Sequence, residues 1–192
     1  ERIQQEQIPL TIIPGQEVRI HGELIEGYQQ DEILTLTGTS RYLFVELPTN
    51  HIPRYTEQIL FDIQMRGRVP IIEHPERNTA LQEQPERLYH FVQNGALTQI
   101  TASSLTGKFG TKIKKFTNEI IEHNLTHFVA SDAHNTKSRG FNMLDANQEI
   151  NQNYGQHTLY TFMENAQHIL DNEMIYIDEP ARIKRKKFFG LF

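Results

Sequence analysis

An α/β fold built on a parallel sheet is what this chain predicts, and three observations predict it. Short β-branched apolar runs alternate along the length with segments of helical periodicity. No fixed-period repeat and no low-complexity tract interrupts that alternation. The 192 residues, 38% hydrophobic, are enough to bury one core in one domain. Strands alternating with helices over this length imply crossover connections, in either a doubly wound sheet or a barrel.

The elements follow in order. Residues Glu1 to Gln7 are polar and read as an exposed helical tail or linker, and Leu10-Thr11-Ile12-Ile13 reads as a buried strand running through Pro14-Gly15 toward Glu17, with Glu17 to Ile20 able to prolong it. Residues 23–36 mix charge with apolar positions and show no clear period. Arg41 to Pro48 is a second apolar run with Glu46 near its end and a proline to stop it. Beyond Pro53, Ile59, Leu60 and Ile63 repeat at helical spacing and Gly67 is the stop; Val69 to Ile72 is then a short strand. Pro85 to Val92 predicts a helix ending at Asn94-Gly95, and Leu97 to Thr101 a strand. Ile113, Phe116, Ile120 and Ile121 form a helical stripe with lysines opposite. Phe128 to His134 is the next run, an apolar strand that stops at Asp132 and His134. Residues 142–153 and 157–170 predict two helices split at Tyr154-Gly155, before a strand near Met174 to Ile177.

Composition narrows the chemistry. A net charge of -5 gives no general attraction to nucleic acid. The chain has no cysteine, which excludes disulfides, thiolate zinc sites, iron–sulfur clusters and a cysteine nucleophile. For a phosphate ester, metal-activated water is then the leading option. No apolar run has the length of a membrane span and no signal-type segment opens the sequence, so a cytoplasmic location is expected.

Four apolar runs end in residues able to hold metal: Glu17, Glu46, His74 and the pair Asp132 and His134. One glutamate after a strand is commonly a cap, but in a parallel fold the carboxyl ends of all strands open on one face, where distant side chains converge. In an extended chain Asp132 and His134 would also project to the same side. Carboxylate oxygen with imidazole nitrogen, and no sulfur, suits manganese, iron or zinc better than calcium. Such a crowd of carboxylates calls for more than one cation. Arg77 and Arg139 follow these residues closely, and guanidinium forks match phosphate oxygens in pairs; the competing assignment for Arg77 is an ion pair with Glu73 or Glu76. His51 shares the presumed active face, whereas His127, at the start of its strand, lies at the wrong end.

The runs Pro14-Gly15-Gln16-Glu17, Phe44-Val45-Glu46, Ile72-Glu73-His74-Pro75-Glu76-Arg77 and Ala130-Ser131-Asp132-Ala133-His134-Asn135 resemble the polymerase and histidinol phosphatase (PHP) superfamily. They are more closely similar to its capsule and exopolysaccharide branch, the manganese-dependent protein-tyrosine phosphatases of Gram-positive bacteria. The resemblance implies a distorted TIM-like (β/α)7 barrel over residues 1–180 with a three-metal cluster, followed by a basic and aromatic tail over 181–192. It implies Glu17 as a bridging ligand, Glu46 and His74 on the second metal, Asp132 and His134 on the first and third, and Arg77 and Arg139 as a phosphate clamp. Two to three Mn2+ ions, with Fe or Zn as substitutes, and phosphotyrosine proteins including a bacterial tyrosine kinase follow as implied cofactor and partners. Members of the family open with a His-x-His pair on the first strand, and nothing before Glu17 matches it. The expectation is therefore an amino-terminally incomplete phosphatase that lacks its first strands and part of two metal sites.

Two rivals remain at this level. A small-substrate phosphatase of the histidinol-phosphate kind would share the motifs, and turnover of the two substrates separates them. A non-catalytic module would bind fewer than two transition-metal ions and use its tail to dock on an acidic partner or an anionic membrane. A nuclease is disfavoured by the acidic balance.

Overall fold

The computed structural model describes residues 2–30 and 32–184. Five strands form one sheet: β1 (Glu17–Arg19), β2 (Tyr42–Glu46), β3 (Val69–Glu73), β4 (Leu97–Thr101) and β5 (Phe128–Ala130). All neighbours are parallel and the spatial order is the chain order, β1-β2-β3-β4-β5. The order never reverses, so the sheet is not doubly wound. Among the described residues it is an open sheet of five strands, where a (β/α)7 barrel lacking its first strands was expected.

Among the described residues eight α-helices accompany the strands: α1 (Arg2–Gln5), α2 (Leu24–Gln29), α3 (Thr56–Met65), α4 (Thr79–Glu83), α5 (Pro85–Gln93), α6 (Ala102–Leu105), α7 (Thr111–Glu122) and α8 (Met143–Leu170). Strand alternation gives the sheet two unlike faces. Val18, Val45, Ile72 and Ile100 are buried with Ile59 and Ile63 of α3, Leu88 and Phe91 of α5, and Phe116 and Ile120 of α7. The opposite face changes character along the strands. At their amino ends Tyr42, Ile71, Leu97 and Phe128 make a second apolar cluster closed by Ile169 of α8, with Ile175 packed on it. Toward the carboxyl ends the same face carries Glu46 beside Glu73, and Glu73 beside Gln99.

Two predicted strands do not form. Leu10 and Ile12 are 62% and 71% exposed, and no strand pairs with them. Pro9 and Pro14 flank the run and remove backbone donors, while Leu10 N–H turns back to the Ile8 carbonyl at 2.8 Å. Glu17 consequently opens β1, instead of following a strand over 10–13. The segment Met174 to Ile177 is also not a strand, because Asn165 supplies the partners a neighbouring strand would give. Its Oδ1 accepts from Tyr176 N–H at 2.9 Å and its Nδ2 donates to the Tyr176 carbonyl at 3.1 Å.

The expected division of the last helical region holds. Gly155 interrupts α8 at φ 88°, ψ 165°, a backbone conformation almost closed to residues with a Cβ. After α8 the chain returns along the amino ends of the strands. Ala181 N–H donates to the His123 carbonyl at 2.8 Å, Arg182 stacks 4.3 Å over the Tyr89 ring, and Ile183 is buried in the main core. Residues 185–192 of the basic tail lie outside the described residues.

His127 ties β5 to β4 at the amino ends: Thr98 N–H donates to its Nδ1 at 3.0 Å. Burial pushes its imidazole pKa down from 6.5 to about 4. The unfolded chain takes up this proton first, so the neutral side chain stabilises the fold above pH 6.5 and that contribution is lost as pH falls toward 4. Across the window the effect amounts to about 3 kcal/mol. Urea unfolding at pH 7 and pH 4.5 will show a steeper acid loss for the parent chain than for His127→Phe, which lacks the titrating group.

Candidate metal and phosphate site

The exits of β2, β3 and β5 surround a cavity of about 430 Å3 lined by Glu17, Glu46, Glu73, His74, Arg77, Asp132, His134 and Arg139, with Leu47, Thr49 and Asn78. All seven residues selected from the sequence are on its wall. Each is brought there by local backbone geometry. Glu17 and Glu46 project from the face of β1 and β2 that also carries Glu73. His74 follows β3 in a left-handed conformation, φ 35° and ψ 50°, which turns the chain sharply out of the strand. Asn78 secures this exit: it caps α4 by accepting from Leu81 N–H, and its Nδ2 donates to the carbonyls of Pro48 at 2.6 Å and His51 at 3.0 Å.

Glu17, Glu46 and His74 each offer one donor atom, and the three lie within 4.8 Å of one another. His74 Nε2 is 2.8 Å from Glu17 Oε1 and 3.8 Å from Glu46 Oε1. Hydrogen bonding to His74 holds the Glu17 carboxyl down at about 2 despite its burial. Arg19 approaches Glu46 from the rim, Nε to Oε2 at 3.2 Å.

Asp132 and His134 reach the cavity by another route than an extended strand. β5 ends at Ala130 and Asp132 is left-handed, φ 47°. The side chains stay close, with Asp132 Oδ1 3.6 Å from His134 Nδ1. Asp132 Oδ2 also accepts from Arg139 Nη2 at 2.6 Å and forms an ion pair with Arg77 Nη1 at 2.9 Å. Arg77 therefore pairs with Asp132 and not with Glu73 or Glu76. The Arg139 loop is organised by Asn135, whose Oδ1 accepts from the backbone N–H of Lys137 and Arg139.

Sequence reasoning passed over Glu73. It is 8% exposed, and burial, then the Glu17 hydrogen bond and the charges of Glu17, Asp132 and Glu46, push its pKa up to about 9. The signal was in the alternation of β3, because Val69, Ile71 and Glu73 share one face and the last of them borders the site. Glu76 is different. Fully buried, with its pKa raised by desolvation, it accepts from Thr101 N–H at 2.9 Å and joins the β3 exit to the end of β4. His51 is exposed and bonded to its neighbour Asn50.

Residues 1–171 match the family model for capsular polysaccharide synthesis, CpsB/CapC. The chain belongs to the CpsB/CapC family. Among CpsB/CapC relatives, the tyrosine-protein phosphatase YwqE of Bacillus subtilis is 44% identical over 192 residues, covering 100% of this chain and 75% of the relative. The putative tyrosine-protein phosphatase CapC of Staphylococcus aureus is 41% identical over 183 residues, 95% of this chain and 71% of CapC. Tyrosine-protein phosphatase CpsB of Streptococcus agalactiae is 32% identical over 172 residues. The fold superposes at a TM-score of 0.93, with 43% identity over 96% of this chain and 74% of the other, on a chain from the crystal structures of YwqE from Bacillus subtilis and CpsB from Streptococcus pneumoniae, unique metal-dependent tyrosine phosphatases.

In this CpsB/CapC chain four carboxylates share one cavity, so a cation entering it would compete with a proton. Glu73 holds a proton at neutral pH, and a divalent cation beside it would favour the ionised form. Titration of the metal-free chain with Mn2+ at pH 7.5, in buffers of different ionisation enthalpy, will register release of about one proton per chain from this group. Glu73→Gln will lose that release while leaving the fold intact.

Proposed function

We propose that this chain hydrolyses phosphotyrosine esters of proteins with the help of metal ions held in the 430 Å3 cavity. The observation that carries the reading is the meeting of a Glu-Glu-His donor set with two guanidinium groups converging on one anionic oxygen. The donors fit a metal. Their atoms are within 4.8 Å of one another, and the carboxylate-imidazole chemistry without sulfur suits Mn2+ first, then Fe or Zn. Glu17, Glu46 and His74 would hold one ion, and Asp132 with His134 would serve a second or third. Bound there, the ions supply water of lowered pKa and Lewis-acid stabilisation of phosphoryl oxygen.

The remaining work falls to the chain. Arg77 and Arg139 bind the phosphoryl oxygens and offset the charge that grows on them in the transition state. Asp132 marks their target: an acidic oxygen already pairs with both forks, at 2.9 and 2.6 Å. Were that carboxylate committed to a metal ion, both forks would be free for substrate. The leaving group is a phenolate of pKa near 10, which departs with less protonation than an alkoxide needs.

The relatives' names and the capsular polysaccharide description support a role in capsule or exopolysaccharide regulation. We extend the reading to a bacterial tyrosine kinase and its targets as substrates, to a cytoplasmic location, and to weak docking through the tail over 181–192. No helix among the described residues is long and apolar enough to cross a membrane. Five parallel strands in chain order, with α3, α5 and α7 on one face, support reading the sheet as part of a distorted PHP-type barrel wall.

The test is turnover of phosphotyrosyl peptide and of histidinol phosphate by the metal-loaded chain. Preference for the peptide, loss of activity after chelation and recovery with Mn2+ are expected. Arg77→Ala and Arg139→Ala will each lower kcat by roughly 10²–10³. Full activity after exhaustive chelation, or in a Glu46→Ala/His74→Ala double variant, would overturn the proposal.

A further inference from the structure

Arg77 and Arg139 sit on different loops. The first lies in the turn that follows β3, and the second in the segment between β5 and α8. Asp132 pairs with both guanidinium groups, but a carboxylate drawn to a metal ion would let them go, so their spacing calls for a second support. Asn142 provides it.

Asn142 is the N-cap residue of α8, yet its side chain makes no capping hydrogen bond. Asparagine at that position ordinarily accepts from a backbone N–H of the first helical turn and steadies the helix, so this one forgoes a stabilising contact. Its buried side chain reaches across to other segments instead. Nδ2 donates to Ser103 Oγ of α6 at 2.7 Å and to the Gly140 carbonyl at 3.1 Å, while Oδ1 accepts from Lys108 Nζ. One amide thus joins three segments. Gly140 adjoins Arg139 in the chain. Lys108 adjoins Phe109, whose ring centroid lies 5.7 Å from Arg77 Cζ, within the range at which a guanidinium is attracted to an aromatic face. The Lys108 loop has a fixed base as well, because Lys108 N–H donates to the Ser103 carbonyl at 2.9 Å.

We propose that Asn142 is a positioning residue of the phosphate clamp. Through Gly140 it sets the Arg139 loop, and through Lys108 and Phe109 it sets the platform against Arg77, so the two forks keep their spacing when Asp132 releases them. Its consequence for turnover rests on the hydrolase reading, whereas the arrangement of the guanidinium groups can be measured without catalysis. Serine separates this role from that of a helix cap. It caps a helix about as well as asparagine, but a single hydroxyl cannot serve Ser103, Gly140 and Lys108 together.

The experiment compares Asn142→Ser, Lys108→Met and the double variant with the parent chain. Three properties are followed: urea unfolding, the side-chain Nε–H resonances of Arg77 and Arg139 in the metal-free chain with and without Asp132→Ala, and phosphotyrosyl peptide turnover after loading with Mn2+. Asn142→Ser is expected to keep the unfolding midpoint, shift both arginine resonances, most strongly without Asp132, and lower kcat/KM by roughly 10–10²-fold. Lys108→Met, at an exposed position, is expected to keep the fold, shift the Arg77 resonance and add nothing to Asn142→Ser in the double variant. Arginine resonances that stay in place in both single variants would overturn the proposal, and so would shifts that simply add in the double variant. The expected shifts in a chain that hydrolyses no phosphotyrosyl peptide would uphold the positioning role and remove the hydrolase reading.

Discussion

Glu46 and Glu73 stand side by side in the parallel register of β2 and β3, and that pairing cannot carry two free negative charges. Glu17 and Asp132 bring two more carboxyl groups to the same cavity. The structure relieves the crowding in three ways. Glu73 takes a proton, Glu17 is held by His74, and Asp132 is gripped by Arg77 and Arg139. Each device is a substitute for a cation. A surface that needs this much positive charge to persist is built to receive it, and the arginines and the proton are what a bound metal would displace.

The same face of the sheet explains how such a site survives on a small domain. Its amino-terminal half is an ordinary core, with Tyr42, Ile71, Leu97 and Phe128 sealed by Ile169. Its opposite face is apolar apart from residues such as Thr98, and α3, α5 and α7 pack there. Burial of one face and half of the other anchors the strands, leaving the carboxyl ends to hold polar groups that would never pack on their own. The sharp exits at His74 and Asp132, both with positive φ, place two strained positions on this rim.

The strands from β2 to β5 and helices α3, α5 and α7 were legible because each has a period set by burial on one side. Gly155 was legible because its backbone conformation is nearly reserved for glycine. The failures share a cause. Leu10 to Ile13 and Met174 to Ile177 have strand-like composition, but a strand needs a partner, and proline in one case and Asn165 in the other settle the backbone differently. At the site, convergence of Glu46, His74, Asp132 and His134 could be inferred from strand ends, whereas Glu17 reaches the cavity from the first position of β1 and not from the end of a strand. The burial and protonation of Glu73 could not. They depend on the cross-strand register with Glu46, which becomes visible only once the sheet is assembled.

Asp132 links the two halves of the proposed chemistry. Its Oδ1 lies near His134 and its Oδ2 pairs with both guanidinium groups, so one carboxylate would face both the proposed metal donors and the proposed phosphate clamp. A carboxylate so shared could not serve both sides at full strength, since withdrawing electron density toward a cation weakens its hold on the arginines. The competition would have a direction. Without cations the forks would be neutralised internally and offer little to an incoming phosphate; with cations they would be released. Under the proposed function, phosphate affinity and metal occupancy would thereby be coupled through a single side chain.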